Sequence, residues 1–329
     1  VAVRRCCEFA KQNHGLTITS YHRPFKENSS FSNKLGSRQH ATKETFQAKP
    51  ASTSVEGCKA TLQSCWRSRQ WQDILELLHQ MQSPRIPLDM VACSIGISAC
   101  AKAVQWVLAM KLFEQTYADH MLPNIVVYGA AISASEQNAH WRAALTLLER
   151  MQHDHVTPNL ITYNASISAC EKGKQWKLSL LLFDQIRKNE LVPNTITHNA
   201  IISACGNGRQ WERAVDIFRE MLDSRVDADI ITHNAVISAC EKSKQWEQAL
   251  ELVCGMYERH LCPNVVTYNA TMTACEKGHE WERAISLAQL MSSNGVQPNV
   301  ITFDALISAC EKGKNWHLPL QLLECMRRV

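Results

Sequence analysis

The chain has 329 residues, 45% of them apolar, with only twelve glycines and ten prolines, a balance that argues against disorder and favours helices. No stretch reaches the roughly 18 consecutive apolar residues that a bilayer span needs, which excludes a transmembrane helix. The net charge is +4, but residues 1–54 hold nine Lys/Arg against three Asp/Glu, so the rest of the chain is slightly acidic and any nucleic-acid binding must rest on where particular lysines point.

Residues 1–54 are rich in Ser and Thr and poor in acids, the composition of a disordered leader or an organellar transit peptide, with a short amphipathic run at Val3–Ala10. The chain begins at Val1 without an initiator methionine, as a fragment of a longer protein would. Beyond residue 54 a period takes over. Trp71, Trp106, Trp141, Trp176, Trp211, Trp246, Trp281 and Trp316 are evenly spaced, and only Trp66 is out of register. Framed on the segment after each Pro-Asn, the units are 55–89, 90–124, 125–159, 160–194, 195–229, 230–264 and 265–299, with a partial unit over 300–329.

Each unit predicts two helices. In unit 195–229, His198, Ile201, Ile202 and Cys205 form one apolar stripe at i, i+3, i+4 and i+7, and Ala214, Ile217, Phe218 and Met221 form another. Gly173, Gly208, Gly278 and Gly313 stand between the stripes, where a left-handed residue could end the first helix. Pro123, Pro158, Pro193, Pro263 and Pro298 punctuate the unit boundaries. A single hairpin cannot bury both stripes, so neighbours must stack. The fold class is all-α, an α-solenoid of helix-turn-helix repeats with a concave face.

Several residue types are candidates for chemistry. Cysteine recurs at position 11, as Cys65, Cys100, Cys170, Cys205, Cys240, Cys275 and Cys310, on the apolar stripe, where a thiol is a small core hydrophobe. No Cys-x-x-Cys pair offers zinc ligands, and the His153-Asp154-His155 run reads as a solvated loop. Phosphate-loop, zinc-protease, serine-hydrolase and deaminase signatures are absent, so neither a cofactor, a metal, a small-molecule substrate nor an enzymatic activity is expected. Glu136, Glu171, Glu241, Glu276 and Glu311 read as a solvated helix face. Asn164, Asn199, Asn234 and Asn269, at position 5, read either as caps helped by Thr162, Thr197, Thr232 and Thr267 or as amides presented to a nucleobase edge. At position 13 Arg67, Lys102, Lys172, Lys242, Lys277 and Lys312 would align on stacking into a phosphate-binding strip, interrupted by Gln137 and Asn207.

The phrases Ile161-Thr162-Tyr163-Asn164-Ala165, Ile167-Ser168-Ala169-Cys170-Glu171-Lys172-Gly173 and Val156-Thr157-Pro158-Asn159, with their relatives along 55–329, resemble the pentatricopeptide repeat family. The tryptophan at position 17 departs from that family's usual aliphatic residue. The resemblance implies a right-handed superhelix that binds single-stranded RNA sequence-specifically, one nucleotide per repeat, through positions 5 and 35. Carried over, the base-reading pairs are Ser94 with Asn124, Gly129 with Asn159, Asn164 with Asn194, Asn199 with Asp229, Asn234 with Asn264, and Asn269 with Asn299, followed by Asp304. It also implies that Val91, Val126, Ile161, Ile196, Ile231, Val266 and Ile301, at position 2, sandwich the bases. Unit 55–89 departs, with Glu56 and Lys59 at positions 2 and 5, and is better taken as a cap. The implied role is organellar RNA processing, stability or translation, in plastid or mitochondrion. The alternative is a helical scaffold whose groove binds other proteins.

Overall fold

The computed structural model describes residues 90–103, 105–119 and 121–313, together with Ser64, Cys65, Asp73, Ile74 and Glu76. The leader, Arg67 and the end of the partial unit lie outside the described residues. Among the described residues there are thirteen helices and no strand: α1 (Met90–Lys102), α2 (Trp106–Ala118), α3 (Ile125–Gln137), α4 (Trp141–His153), α5 (Leu160–Lys172), α6 (Trp176–Lys188), α7 (Thr195–Asn207), α8 (Trp211–Asp223), α9 (Ile230–Lys242), α10 (Trp246–Glu258), α11 (Val265–Lys277), α12 (Trp281–Ser293) and α13 (Val300–Lys312). In units 90–124 to 265–299 the first helix therefore covers positions 1–13 and the second covers positions 17–29.

The first helix starts where the last residue of the preceding unit caps it. Asn159, Asn194, Asn264 and Asn299 each accept the amide of the third helical residue, a threonine whose hydroxyl in turn accepts the cap amide, a reciprocal capping box. This corrects the expectation that position 5 or the threonine supplies the cap: position 35 does. Proline at position 34 is not required for the break. Ala228 takes its place before Asp229, and the chain leaves the helix there just as it does at Pro193.

The left-handed residue is also displaced from its expected place. Gly173, Gly208, Gly278 and Gly313 have φ of −78°, −83°, −85° and −77°, ordinary right-handed values. The positive φ falls one residue later, on Ala139, Lys174, Arg209, Lys244 and His279, and again after the second helix on His155, Glu190, Arg225, His260 and Gly295. What the glycines supply is space. A Cβ on Gly208 would lie 2.3 Å from Cδ1 of Trp176, and the same ring of the preceding unit crowds Gly173, Gly278 and Gly313. Tryptophan at position 17 thus seats over glycine 14 of the next unit, and where that unit has arginine at position 19 the guanidinium covers the ring, as Arg283 does Trp246 at 4.1 Å and Arg213 does Trp176 at 5.1 Å.

Both stripes of unit 195–229 are buried as the periodicity predicts, and one apolar core runs from Ile74 to Ala274 and is continued by a second cluster from Leu250 to Ala309. The position-11 cysteines of the described repeats, Cys65 apart, are fully buried, and burial raises their thiols to about 11 at Cys100, Cys170 and Cys205 and about 12 at Cys240 and Cys275, so they stay protonated and inert at neutral pH. Among the described helices, successive first helices touch one another, whereas a second helix touches its own first helix and the next one but no other second helix. The first helices form the tighter, inner row of a helical-repeat solenoid. Positions 2, 5 and 13 all belong to that row.

Candidate functional site

Position 2 is the apolar exception on an otherwise polar inner face. Val126, Ile161, Ile196, Ile231, Val266 and Ile301 are each 59–70% exposed, with Val91 at 49%, although their helices bury the neighbouring apolar residues. An isoleucine left in water forfeits about 1.5–3 kcal/mol of available burial, and here it is forfeited once per unit at a fixed spacing.

In units 160–194, 230–264 and 265–299, positions 5 and 35, thirty residues apart in sequence, come within hydrogen-bond reach in space. The Asn164 amide donates to Asn194 Oδ1 at 3.5 Å, Asn234 to Asn264 at 3.4 Å, and Asn269 to Asn299 at 3.0 Å. The threonine at position 3 of the following unit decides which atoms stay free. Thr197, Thr267 and Thr302 donate their hydroxyls to the Oδ1 of Asn164, Asn234 and Asn269 at 2.6–2.7 Å. With the acceptors used up by the cap and the threonine, these Asn/Asn pairs turn amide donors toward the groove.

Unit 195–229 inverts that pattern. Asp229 takes both the amide and the hydroxyl of Thr232 on Oδ1, at 2.8 and 2.9 Å, because one hydroxyl proton goes to a carboxylate in preference to a neutral amide. Asn199 Oδ1 is left buried without a partner. Burial pulls the Asp229 carboxyl upward, but hydrogen bonds from Thr232, Ile231 and Asn199 outweigh it and hold the group below its ordinary value. This pair carries a carboxylate where the others carry an amide.

The two N-terminal pairs differ again. Ser94 Oγ donates to the carbonyl of Val91 at 2.8 Å and does not bond Asn124, whose side chain caps α3. Gly129 offers no side chain, so Thr162 turns its hydroxyl back to the Asn159 carbonyl at 2.8 Å. A cavity of about 390 Å³ opens there, lined by Lys102, Val126, Gly129, Gln137, Asn159 and Ile161 among others. Asp304 is exposed on α13 at the end of the described array.

The strip at position 13 is more heavily engaged than its sequence suggests. Lys172, Lys277 and Lys312 pair with Glu136, Glu241 and Glu276 of the preceding units at 3.0, 2.8 and 2.9 Å. Glu136, Glu241 and Glu276 are thus half-buried partners in an inter-unit ladder, which corrects their reading as a solvated face, while Glu311 is exposed as that reading expects. Asp154 is likewise no loop residue in water. It accepts from the hydroxyls of Tyr117 and Tyr128, and these bonds hold its carboxyl below the ordinary range. Among the described residues no three His, Cys, Asp or Glu side chains gather as metal ligands, and no helix is long and apolar enough to cross a membrane.

A PPR repeat family model matches residues 158–207, 193–242, 228–277 and 263–312, and a pentatricopeptide repeat domain model matches 111–175. The chain belongs to the pentatricopeptide repeat family. Among solved structures, the pentatricopeptide repeat protein PPR10 from maize is similar at 20% identity with a TM-score of 0.61, over 82% of this chain and 44% of that one. PPR10 in complex with an 18-nt psaJ RNA element is similar at 17% identity with a TM-score of 0.52, over 79% and 43%. The chain spans under half the length of these structures, and the likeness is one of fold. No curated protein matches it.

Proposed function

We propose that this pentatricopeptide repeat chain binds single-stranded RNA along its inner row, one nucleotide per unit, with positions 5 and 35 reading the base edge and the position-2 side chains clamping the base faces. The observation that carries this reading is the coincidence, in unit after unit, of an exposed aliphatic side chain with a paired polar group beside it. Aliphatic faces suit the flat surface of a base, and the polar pair suits its edge. A groove for extended peptide would need no such coupling of one apolar and two polar positions at a fixed period, and the protein-scaffold alternative is the weaker for it.

The atoms left free suggest the preference. Asn/Asn pairs offering donors suit the ring carbonyls of pyrimidines, and the Asp229 carboxylate, an acceptor, suits the N3–H of uracil. The hydroxyl of Ser94 and the amide of Asn124 resemble an adenine-reading pair, while Gly129 leaves its base open. Units 90–299 then read 5′-A-?-Y-U-Y-Y-3′, parallel to the chain. Such binding would act in organellar RNA processing, stability or translation without catalysis by the repeats themselves.

The test is selection from a random RNA pool followed by exchange of one pair. Asn199→Ser with Asp229→Asn is expected to convert the uracil preference at that base to adenine, a difference of about 1–3 kcal/mol between RNAs that differ at one position. A shift in affinity that is equal for all four bases would show that residues 199 and 229 do not read sequence.

A further inference from the structure

Between Glu136 and Lys312 the ion-pair ladder along the inner row is broken at one unit. In units 125–159, 230–264 and 265–299, glutamate 12 holds lysine 13 of the next unit at 2.8–3.0 Å, so each of Lys172, Lys277 and Lys312 faces the groove with its charge already matched. Unit 195–229 replaces the Glu-Lys pair by Gly206-Asn207. The glycine marks a tighter helix approach, since a Cβ there would lie 3.0 Å from the Cβ of Ala239 on α9. Two charges lose their ion-pair contact as a result. Glu171 has no lysine at position 13 of the next unit, and Lys242 donates to the neutral Oδ1 of Asn207 at 2.7 Å, reaching the Glu171 carboxyl only through longer-range attraction.

We propose that Lys242 is the dominant phosphate contact of units 160–312, because it alone among their strip lysines has no carboxylate in ion-pair contact. The inference rests on the RNA-binding reading and deepens it. A paired lysine must leave its carboxylate to meet a phosphate, which costs up to about fivefold in affinity for a pair near the surface, and the glutamate left behind repels the incoming anion. Lys242 trades only an amide for a phosphate oxygen. The strip is therefore one strong contact near the centre of the array, with weaker ones on either side.

The test is fluorescence anisotropy of the full chain with a short fluorescein-labelled strand carrying 5′-AAUUUU-3′, titrated at several salt concentrations. Lys242→Ala should weaken binding about tenfold, as the loss of a charge-assisted hydrogen bond does, and flatten the log–log salt slope by about 0.7. Lys172→Ala and Lys277→Ala should each stay within about twofold. Asn207→Asp, which supplies Lys242 with a carboxylate without removing any lysine, should reproduce the loss seen with Lys242→Ala. Gln137→Glu adds the same charge at position 13 of another unit and should do less. Glu241→Gln should tighten binding about threefold by freeing Lys277. Equal losses from the three lysine substitutions, equal effects of Asn207→Asp and Gln137→Glu, or no gain from Glu241→Gln would overturn the proposal while leaving RNA binding intact. Failure of the unsubstituted chain to bind any strand from the pool would overturn the RNA reading itself. Circular dichroism of each variant separates these outcomes from misfolding.

Discussion

At the scale of single residues, position 14 shows how a local signal can be right about place and wrong about cause. Glycine after a helix ordinarily signals the left-handed conformation, yet Gly208 is right-handed and the exposed Arg209 beside it carries φ of 55°. The ring that demands the glycine is Trp176 of the preceding unit, too far along the chain for any local pattern to connect the two. The corresponding residue in unit 230–264 is Ser243, whose hydroxyl is buried without a partner, so that unit pays for its missing glycine. The two causes predict opposite substitutions. Gly208→Ala should lower stability by about 1–3 kcal/mol through overpacking against Trp176, whereas Arg209→Gly should raise it by about 0.5–1 kcal/mol by relieving the left-handed strain. Urea titration followed by far-UV circular dichroism measures both. Destabilisation by Arg209→Gly would mean that its side chain contributes more than its backbone costs.

Between elements, the sequence was most legible where one stripe meets one core. The stripes, the period and the helix pairs could all be read from apolar spacing, because burial depends on side chains a turn apart. Caps and ladders were less legible, because Asn194 caps α7 from the end of the unit before, and Glu136 meets Lys172 only after units stack. Position 4 is a further such junction. Tyr163 and Tyr268 hold it in their units and accept the amides of Asn189 and Asn294. In two central units histidine takes its place: His198 and His233 lie buried edge-on against Phe183 and Phe218, with Nδ1 at 3.0 and 2.9 Å from the carbonyls of Asn194 and Asp229. Burial lowers both imidazoles below 6.5, against the raising influence of those carbonyls and of Glu220 and Asp229, while Arg187 and Arg259 lower them further. The folded chain then binds fewer protons than the unfolded one, so these residues make stability fall as pH drops below about 6.5 and contribute no slope well above it. Thermal melts from pH 7.5 downward should show this loss. Replacing both sites, His198→Tyr with Ser224→Asn and His233→Tyr with Arg259→Asn, should remove most of the slope at the mildly acid end. An unchanged slope would assign it to other groups.

For the whole molecule, stacking makes stability a sum of units and of their interfaces, so removing a complete unit differs in kind from breaking the period. Excising residues 195–229 joins Asn194 to Ile230, and the new neighbour of α5 is α9. The register of every later unit is preserved, Asn194 inherits the capping of α9 from Asp229, and Lys242 arrives where it can pair with Glu171, closing the gap in the ladder. One contact worsens, because Trp176 then faces Ser243 in place of Gly208. The shortened chain is therefore expected to keep its ellipticity per residue and a cooperative melt. Its RNA affinity should drop by more than the loss of one nucleotide predicts, since the deletion also gives a carboxylate partner to the lysine that lacks one. Inserting four residues inside α7 instead turns its apolar stripe by more than a full turn's register against both neighbours and moves Asn199 away from Asp229. That variant should lose helical signal and cooperativity together. A deletion that unfolds the chain while the insertion is tolerated would contradict the nearest-neighbour picture on which the RNA register and the charge ladder both depend.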